Sequence, residues 1–393
     1  MLNRRQFIGS AAAMSFGLTT LTGAASTSRS RQIVRTYNGP NVIIVRFGGG
    51  VRRRETIDPD HTLAPWLLRE FAPRGTLYRN MVIDDAPHIE TSHGQGTLHI
   101  LTGRYDHLIN QSEQILGERF EPPSPTLFEY LRSTFDIPPE QALIVNGEDR
   151  TSEEFYTFSN HHIYGIDYRS DVLSLFRYKR WLLEQQLGVD QFASDQARRE
   201  ATRKLQEMRE VDTRQSELSG QSAAIERLWS SWRGHYGDTG LVNARGDRLI
   251  TELALSAIND LQPRLMLLNY QDPDYVHWGY SAHYTRGISV IDRSLRSIVQ
   301  ACDHHPAYRN NTVFVVVPDC GRDTNRLLKN PFQHHFNSPS SREIWALMVG
   351  PGIERGREIN REVQQIDVGP SVAALMGFTQ GEMEGSTLSE AFS

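Results

Sequence analysis

Five short, unbroken apolar runs, each emptying into a loop crowded with polar residues, constrain this chain more than any other feature. The first is Asn41-Val42-Ile43-Ile44-Val45-Arg46-Phe47, which ends in Gly48-Gly49-Gly50. Similar runs occupy Gln141 to Val145, Arg264 to Tyr270, Thr312 to Val317 and Ile344 to Val349. Runs without polar alternation are the pattern of strands buried on both faces, as in a parallel sheet. Helical patterns separate them. Leu63 to Phe71 is one, and Pro125 to Phe135 opens with Ser124-Pro125 as cap and first-turn residues. Ile250, Leu253, Ala254, Ala257, Ile258 and Leu261 recur at helical spacing and stop before Pro263. The alternation predicts an α/β fold, a mostly parallel central sheet with helices on both faces. Between 170 and 235 the rhythm breaks. Charge-dense Arg198-Arg199-Glu200, Arg203-Lys204 and Arg209-Glu210 predict a helical insertion there, either a lid over the strand ends or a solvated hairpin.

Composition narrows the class. At 393 residues, 38% apolar and 23% charged, the chain is neither disordered nor fibrous, and two cysteines make no disulfide framework. A net charge of −5, with no basic block beyond the first residues, argues against nucleic acid as a partner. The chain begins Arg4-Arg5-Gln6-Phe7-Ile8, continues weakly apolar to Leu21 and reaches Gly23-Ala24-Ala25-Ser26. That order of basic, apolar and small residues is an export signal, and the paired arginines resemble the twin-arginine type. The apolar stretch is shorter than the ~20 residues a bilayer span needs. The expected organisation is a signal at 1–25, a linker at 26–40 and a single hydrolase-like domain at 41–393. It implies the twin-arginine export machinery as a partner, no membrane span in the mature chain, and a periplasmic or extracellular location. Replacing Arg4-Arg5 by two lysines should trap the precursor in the cytoplasm; undiminished secretion of that variant in a fractionation blot would point to the general pathway instead.

Ligands of open α/β sheets sit at the carboxyl ends of the strands, so the loops after the apolar runs are where chemistry is expected. One segment carries Thr91-Ser92-His93-Gly94-Gln95-Gly96 and ends Leu101-Thr102-Gly103-Arg104-Tyr105. The loop after the third run reads Pro273-Asp274-Tyr275-Val276-His277-Trp278-Gly279, and that after the fourth Val317-Pro318-Asp319-Cys320-Gly321-Arg322. His334-His335 follows, then Ser341-Arg342-Glu343-Ile344 leading to Gly350-Pro351-Gly352-Ile353. Aspartate and histidine at such positions suit zinc or a harder divalent cation.

In this order, from about Val42 to Ile353, these motifs resemble the alkaline phosphatase superfamily, which includes sulfatases, phosphodiesterases and cofactor-independent phosphoglycerate mutases. Leu101-Thr102-Gly103-Arg104-Tyr105 resembles the segment that closes the nucleophile helix of sulfatases. The Asp274–His277 loop resembles the mutase-type metal loop with its first glycine missing, and Asp319-Cys320-Gly321 resembles an Asp-His-Gly loop. The resemblance implies an ester hydrolase in which divalent metals, ~3.5–4 Å apart where two are used, clamp a phosphoryl or sulfuryl group. It implies Asp274, His277 and one of His334 or His335, with His335 preferred, as ligands of at least one ion, zinc or manganese. Asp319 and Cys320 would form what remains of a second site, the thiolate standing in for an imidazole. Counting back from Leu101 sets His93 at the nucleophile position, with Ser92 or Thr91 beside it as the attacking or water-positioning hydroxyl. The family's aspartate at the end of the first strand is replaced here by Phe47-Gly48-Gly49, which weakens the case for a second ion. Arg52 and Arg53, with Arg54, and Arg104 are candidate clamps for an anionic group. A small anionic ester is the expected substrate; the alternative is a catalytically degenerate member that binds an anion or a protein partner in the periplasm.

Overall fold

Each long apolar run is a strand because nothing in it can face water. A computed structural model describes residues 35–106, 109–110, 120–147, 156–159, 161–189, 192–211, 222–237, 246–278, 281–324, 333–334 and 338–393. The expectations for the export signal, for most of the linker and for His335 lie outside the described residues. The strands are β1 (Asn41–Arg46), β2 (Thr76–Val82), β3 (Ile109–Asn110), β4 (Phe120–Glu121), β5 (Ala142–Val145), β6 (Asp171–Leu173), β7 (Leu265–Asn269), β8 (Thr312–Val317), β9 (Glu343–Val349), β10 (Arg357–Ile359) and β11 (Val363–Gln364). The main sheet runs β10-β2-β9-β8-β1-β7-β5-β6, with β11 also on β2, while β3 and β4 pair separately. All its pairings are parallel except the two made by β9, which runs antiparallel to β2 and β8.

The helices are α1 (Arg53–Thr56), α2 (His93–Thr102), α3 (Leu127–Thr134), α4 (Leu175–Gly188), α5 (Asp195–Val211), α6 (Ala223–Tyr236), α7 (Asp247–Asp260), α8 (Ser281–His304), α9 (Pro339–Arg342) and α10 (Val368–Met376). Successive strand residues point to opposite faces, and both faces are apolar. Ile43, Val45, Met266, Leu268 and Val316 join a cluster with α7, α8, α4 and α6. Val42, Ile44, Leu265, Leu267 and Val315 join another with α2, α3 and α10. Each such side chain, fully buried, contributes roughly 1.5–3 kcal/mol as an upper bound, so burial on both faces holds the sheet.

Three departures from the sequence reading have simple causes. β2 escaped it because Arg79 and Asn80 interrupt the apolar run where the pairing with β9 shifts register. The helix expected from Pro125 begins at Leu127, because the Glu129 carboxylate reaches back to accept the N–H of Thr126 at 2.8 Å. Ser124 instead turns its hydroxyl to Asp106 at 2.5 Å. The stretch expected to be a charged helical insertion from 170 opens with edge strand β6. Its helices α4 and α6 are anchored by Tyr178, Trp181, Trp229 and Trp232, buried in the same cluster as α7. They therefore pack on a face of the sheet as part of the core. Among the described residues no helix is long and apolar enough to cross a membrane.

Candidate metal centre at the carboxyl ends of the central strands

β8, β1 and β7 lie side by side and in parallel, so their following loops converge. The loop after β7 winds into a short 3₁₀ turn, Asp272–Trp278, which presents Asp274 and His277 three residues apart. Buried Asp247, at the start of α7, fixes this turn by accepting the backbone N–H groups of Gln271 at 2.7 Å and Asp272 at 2.8 Å. The loop after β8 supplies Asp319, Cys320 and Arg322, all fully buried. α2 begins at His93, is capped by the Ser92 hydroxyl and ends at Gly103 in the left-handed region, as the sulfatase-like segment implied. The glycines after β1 are required by close approach: at Gly49, with φ +78°, a Cβ would stand 2.6 Å from the Asp274 nitrogen and the Gln271 oxygen.

Around Asp274 the geometry is that of a cation site. Its Oδ1 lies 2.8 Å from His93 Nε2, 3.0 Å from His277 Nε2 and 3.6 Å from His334 Nε2. His93, Asp274, His277 and His334 offer one donor atom each, all mutually within 4.8 Å. The far nitrogens of two rings are occupied by pure acceptors. His334 Nδ1 is 2.6 Å from the Thr91 carbonyl oxygen, and His93 Nδ1 is 2.7 Å from Asp319 Oδ2. A carbonyl or carboxylate oxygen can only accept, so Nδ1 carries the proton and Nε2 is left with a lone pair. Lone pairs aimed at one carboxylate oxygen repel unless a cation or a proton lies among them. Three imidazoles and a carboxylate, two of the rings oriented by outer oxygen partners, fit zinc or manganese. The residues therefore fit a divalent metal.

The same logic governs protonation. Burial would push Asp274 up, but the charge of His93 and the neighbouring His277 and His334 rings hold it far below the usual carboxylate range. Burial would push His93 down, yet Asp274 and Asp319 outweigh it and hold its pKa well above normal. A proton and a divalent ion thus compete for one imidazole nitrogen. Cys320 has its Sγ 3.9 Å from His93 Nδ1 and, with His93 and Asp319, makes a second donor group. Burial, aided by the charge of Asp319, raises its thiol pKa to about 11. Cys302 and Cys320 are both free thiols.

The structure brings His93, expected at the nucleophile position, together with Asp274, His277, His334, Asp319 and Cys320, while His335 lies outside the described residues. The hydroxyls are spent on backbone groups: Thr91 Oγ1 donates to the His334 carbonyl, and Ser92 Oγ accepts from the Gln95 N–H at 3.3 Å. The expected anion clamps are engaged elsewhere. Arg52 forms a bidentate pair with Glu55, and Arg53 donates to the carbonyls of Ile344 and Met81. Arg104 pairs with Asp106 and Glu384 at the far end of α2. The cations at the centre are Arg322 and Arg46. Arg322 reaches Asp274 Oδ1 at 2.6 Å while its guanidinium also binds the carbonyls of Gly49 and Gly50. Arg46 closes β1.

No protein-family model and no curated protein matches this sequence, but the fold is that of the alkaline phosphatase superfamily. The chain is similar to a protein in the alkaline phosphatase superfamily from Vibrio parahaemolyticus, at 13% identity over 91% of this chain and 72% of that one, with a TM-score of 0.53. It is similar to a putative sulfatase from Bacteroides thetaiotaomicron at 12% identity over 89% and 74% of the two chains, TM-score 0.53. It is also similar to the alkaline phosphatase PafA at 12% identity over 91% and 100%, TM-score 0.51.

Proposed function

We propose that this chain, folded like the sulfatase and the phosphatase it resembles in structure, is an exported metal-dependent hydrolase of phosphate or sulfate esters. The observation that carries the proposal is the convergence of His93, His277 and His334 Nε2 on Asp274 Oδ1. A divalent ion held there would supply Lewis-acid polarisation of an ester oxygen. The protein's own part is positional. Arg322 holds the Asp274 carboxylate in place, and the amino end of α2, with its positive dipole, faces the same space and favours an anionic group. Asp319 orients His93. Ser92, at the head of α2, is the hydroxyl best placed by sequence to position an attacking water, with Thr91 behind it.

A specific observation favours a second reading, that of an anion-binding member of the fold without turnover. At the position where the resemblance implies a nucleophile stands an imidazole turned into the ligand set, and the neighbouring hydroxyls hold backbone groups. The two readings separate in one experiment. Protein purified after export should contain zinc or manganese near one equivalent and cleave at least one of an aryl phosphate, a phosphodiester or an aryl sulfate. Protein that binds phosphate or sulfate but turns over none of the three establishes the second reading; metal-free protein that neither binds nor cleaves any of them refutes both.

A further inference from the structure

Two donor groups share His93: the four-residue cluster around Asp274 and the trio His93, Asp319 and Cys320. On donor chemistry alone the trio could hold a second ion, with the His93 ring bridging the two. Arg46 argues otherwise. Its parity along β1 puts it with Val42 and Ile44 on the face covered by α2, beneath His93. It is fully buried, and its Nη1 donates to Thr97 Oγ1 at 2.7 Å while standing 3.9 Å from Asp319 Oδ2. Its Nη2 lies 3.3 Å from the Tyr270 carbonyl and from Gln271 Oε1. The guanidinium is thus anchored by α2 and the loop after β7 and aimed at a carboxylate that is itself fully buried.

Asp319 is held from four directions. Its Oδ1 accepts the N–H groups of Gly50 at 3.1 Å and Cys320 at 2.8 Å. Its Oδ2 accepts from Gly49 N at 3.3 Å and from His93 Nδ1 at 2.7 Å. Three of those donors are fixed backbone N–H groups, so the one lone-pair direction a cation could take is that facing His93, and Arg46 already balances the buried charge that would draw an ion there. We propose that the Arg46 guanidinium is a fixed cation that takes the place of a second metal ion, so that the centre is mononuclear. The proposal rests on the reading that the Asp274 cluster binds a metal, and it goes beyond it in stating how many ions bind and why.

The test counts ions. After equilibration with excess zinc and gel filtration, elemental analysis of the full chain should give about one zinc per molecule. Loaded with copper(II), the protein should give the electron paramagnetic resonance spectrum of an isolated ion. Two equivalents of zinc, or the spectrum of a coupled copper pair bridged through His93, would overturn the proposal. Arg46→Met, which keeps bulk and removes charge, should take up a second equivalent at high zinc, whereas Arg46→Lys should stay at one. An Arg46→Met protein that also stops at one ion would refute the assigned role. Should that variant not fold, the zinc count and copper spectrum of the unsubstituted protein decide alone. Failure of the underlying functional reading looks different: no ion binds at either cluster at any concentration.

Discussion

Asp274→Asn should weaken divalent-metal affinity by at least ~100-fold and abolish ester cleavage. Outer partners of a metal ligand are each worth roughly 10–100-fold in affinity, and Asp274 supplies the oxygen on which three imidazoles converge. The amide is nearly isosteric, so the change removes charge with little change of shape. It also leaves buried Arg322 without its carboxylate, which should cost the metal-free protein on the order of 1–3 kcal/mol. Chelator-competition titrations read the affinity and denaturant midpoints of the metal-free proteins read the stability, so the two effects separate. Acid should mimic the mutation. His93 holds its proton above the usual range through Asp274 and Asp319, and an ion must displace that proton, so affinity rises with pH. With one of the two carboxylates neutral, the proton is held less tightly and the pH dependence should move to lower pH. An Asp274→Asn protein with unchanged zinc affinity would remove Asp274 from the centre.

What could be read from the sequence here follows physical locality. The central strands were legible because a strand buried on both faces has an unbroken apolar sequence, whatever surrounds it. β2 was not, since a register shift admits Arg79 and Asn80, and the antiparallel direction of β9 leaves no mark in the sequence. Asp274 with His277, and Asp319 with Cys320, were legible because each pair sits in one short loop whose spacing survives inspection by eye. Arg46 was invisible for the opposite reason. It looks like the polar end of a strand until the parity of β1 and the position of Thr97, fifty-one residues later, are known. Arg52 and Arg53 looked more functional than Arg46 because they cluster, yet Glu55 three residues on carried the signal that Arg52 was paired locally. Between His334 and His335 no sequence argument discriminates. The Thr91 carbonyl, which orients His334, comes from a segment 243 residues away.

A long-range constraint of the same kind falls on Gly96, and Gly96→Ala should destabilise the protein by about 2 kcal/mol or more. A Cβ there would stand 2.0 Å from the carbonyl oxygen of Asp319 and 2.8 Å from its carbon. That carbonyl cannot swing aside freely, since it already accepts the Gln365 Nε2 hydrogen at 2.8 Å. Overpacking of this kind costs ~1–3 kcal/mol and more against backbone, and only about 1 kcal/mol returns from the better helix propensity of alanine. Gly234, inside α6, supplies the control: nothing lies within 4 Å of its absent Cβ. Gly234→Ala should therefore stabilise by up to ~1 kcal/mol through propensity alone. Two glycine-to-alanine changes in helices thus carry opposite signs, and urea midpoints at constant slope measure both. The consequence for the centre is separate and equally measurable. Relief of the clash moves the start of α2 away from the β8 loop, which stretches the 2.7 Å contact of His93 Nδ1 with Asp319. Metal affinity should then fall roughly 10–100-fold, as for loss of any outer ligand partner. Equal stability of the two variants would mean that α2 does not dock on Asp319 as described, and the shared orientation of His93 by that carboxylate would fall with it.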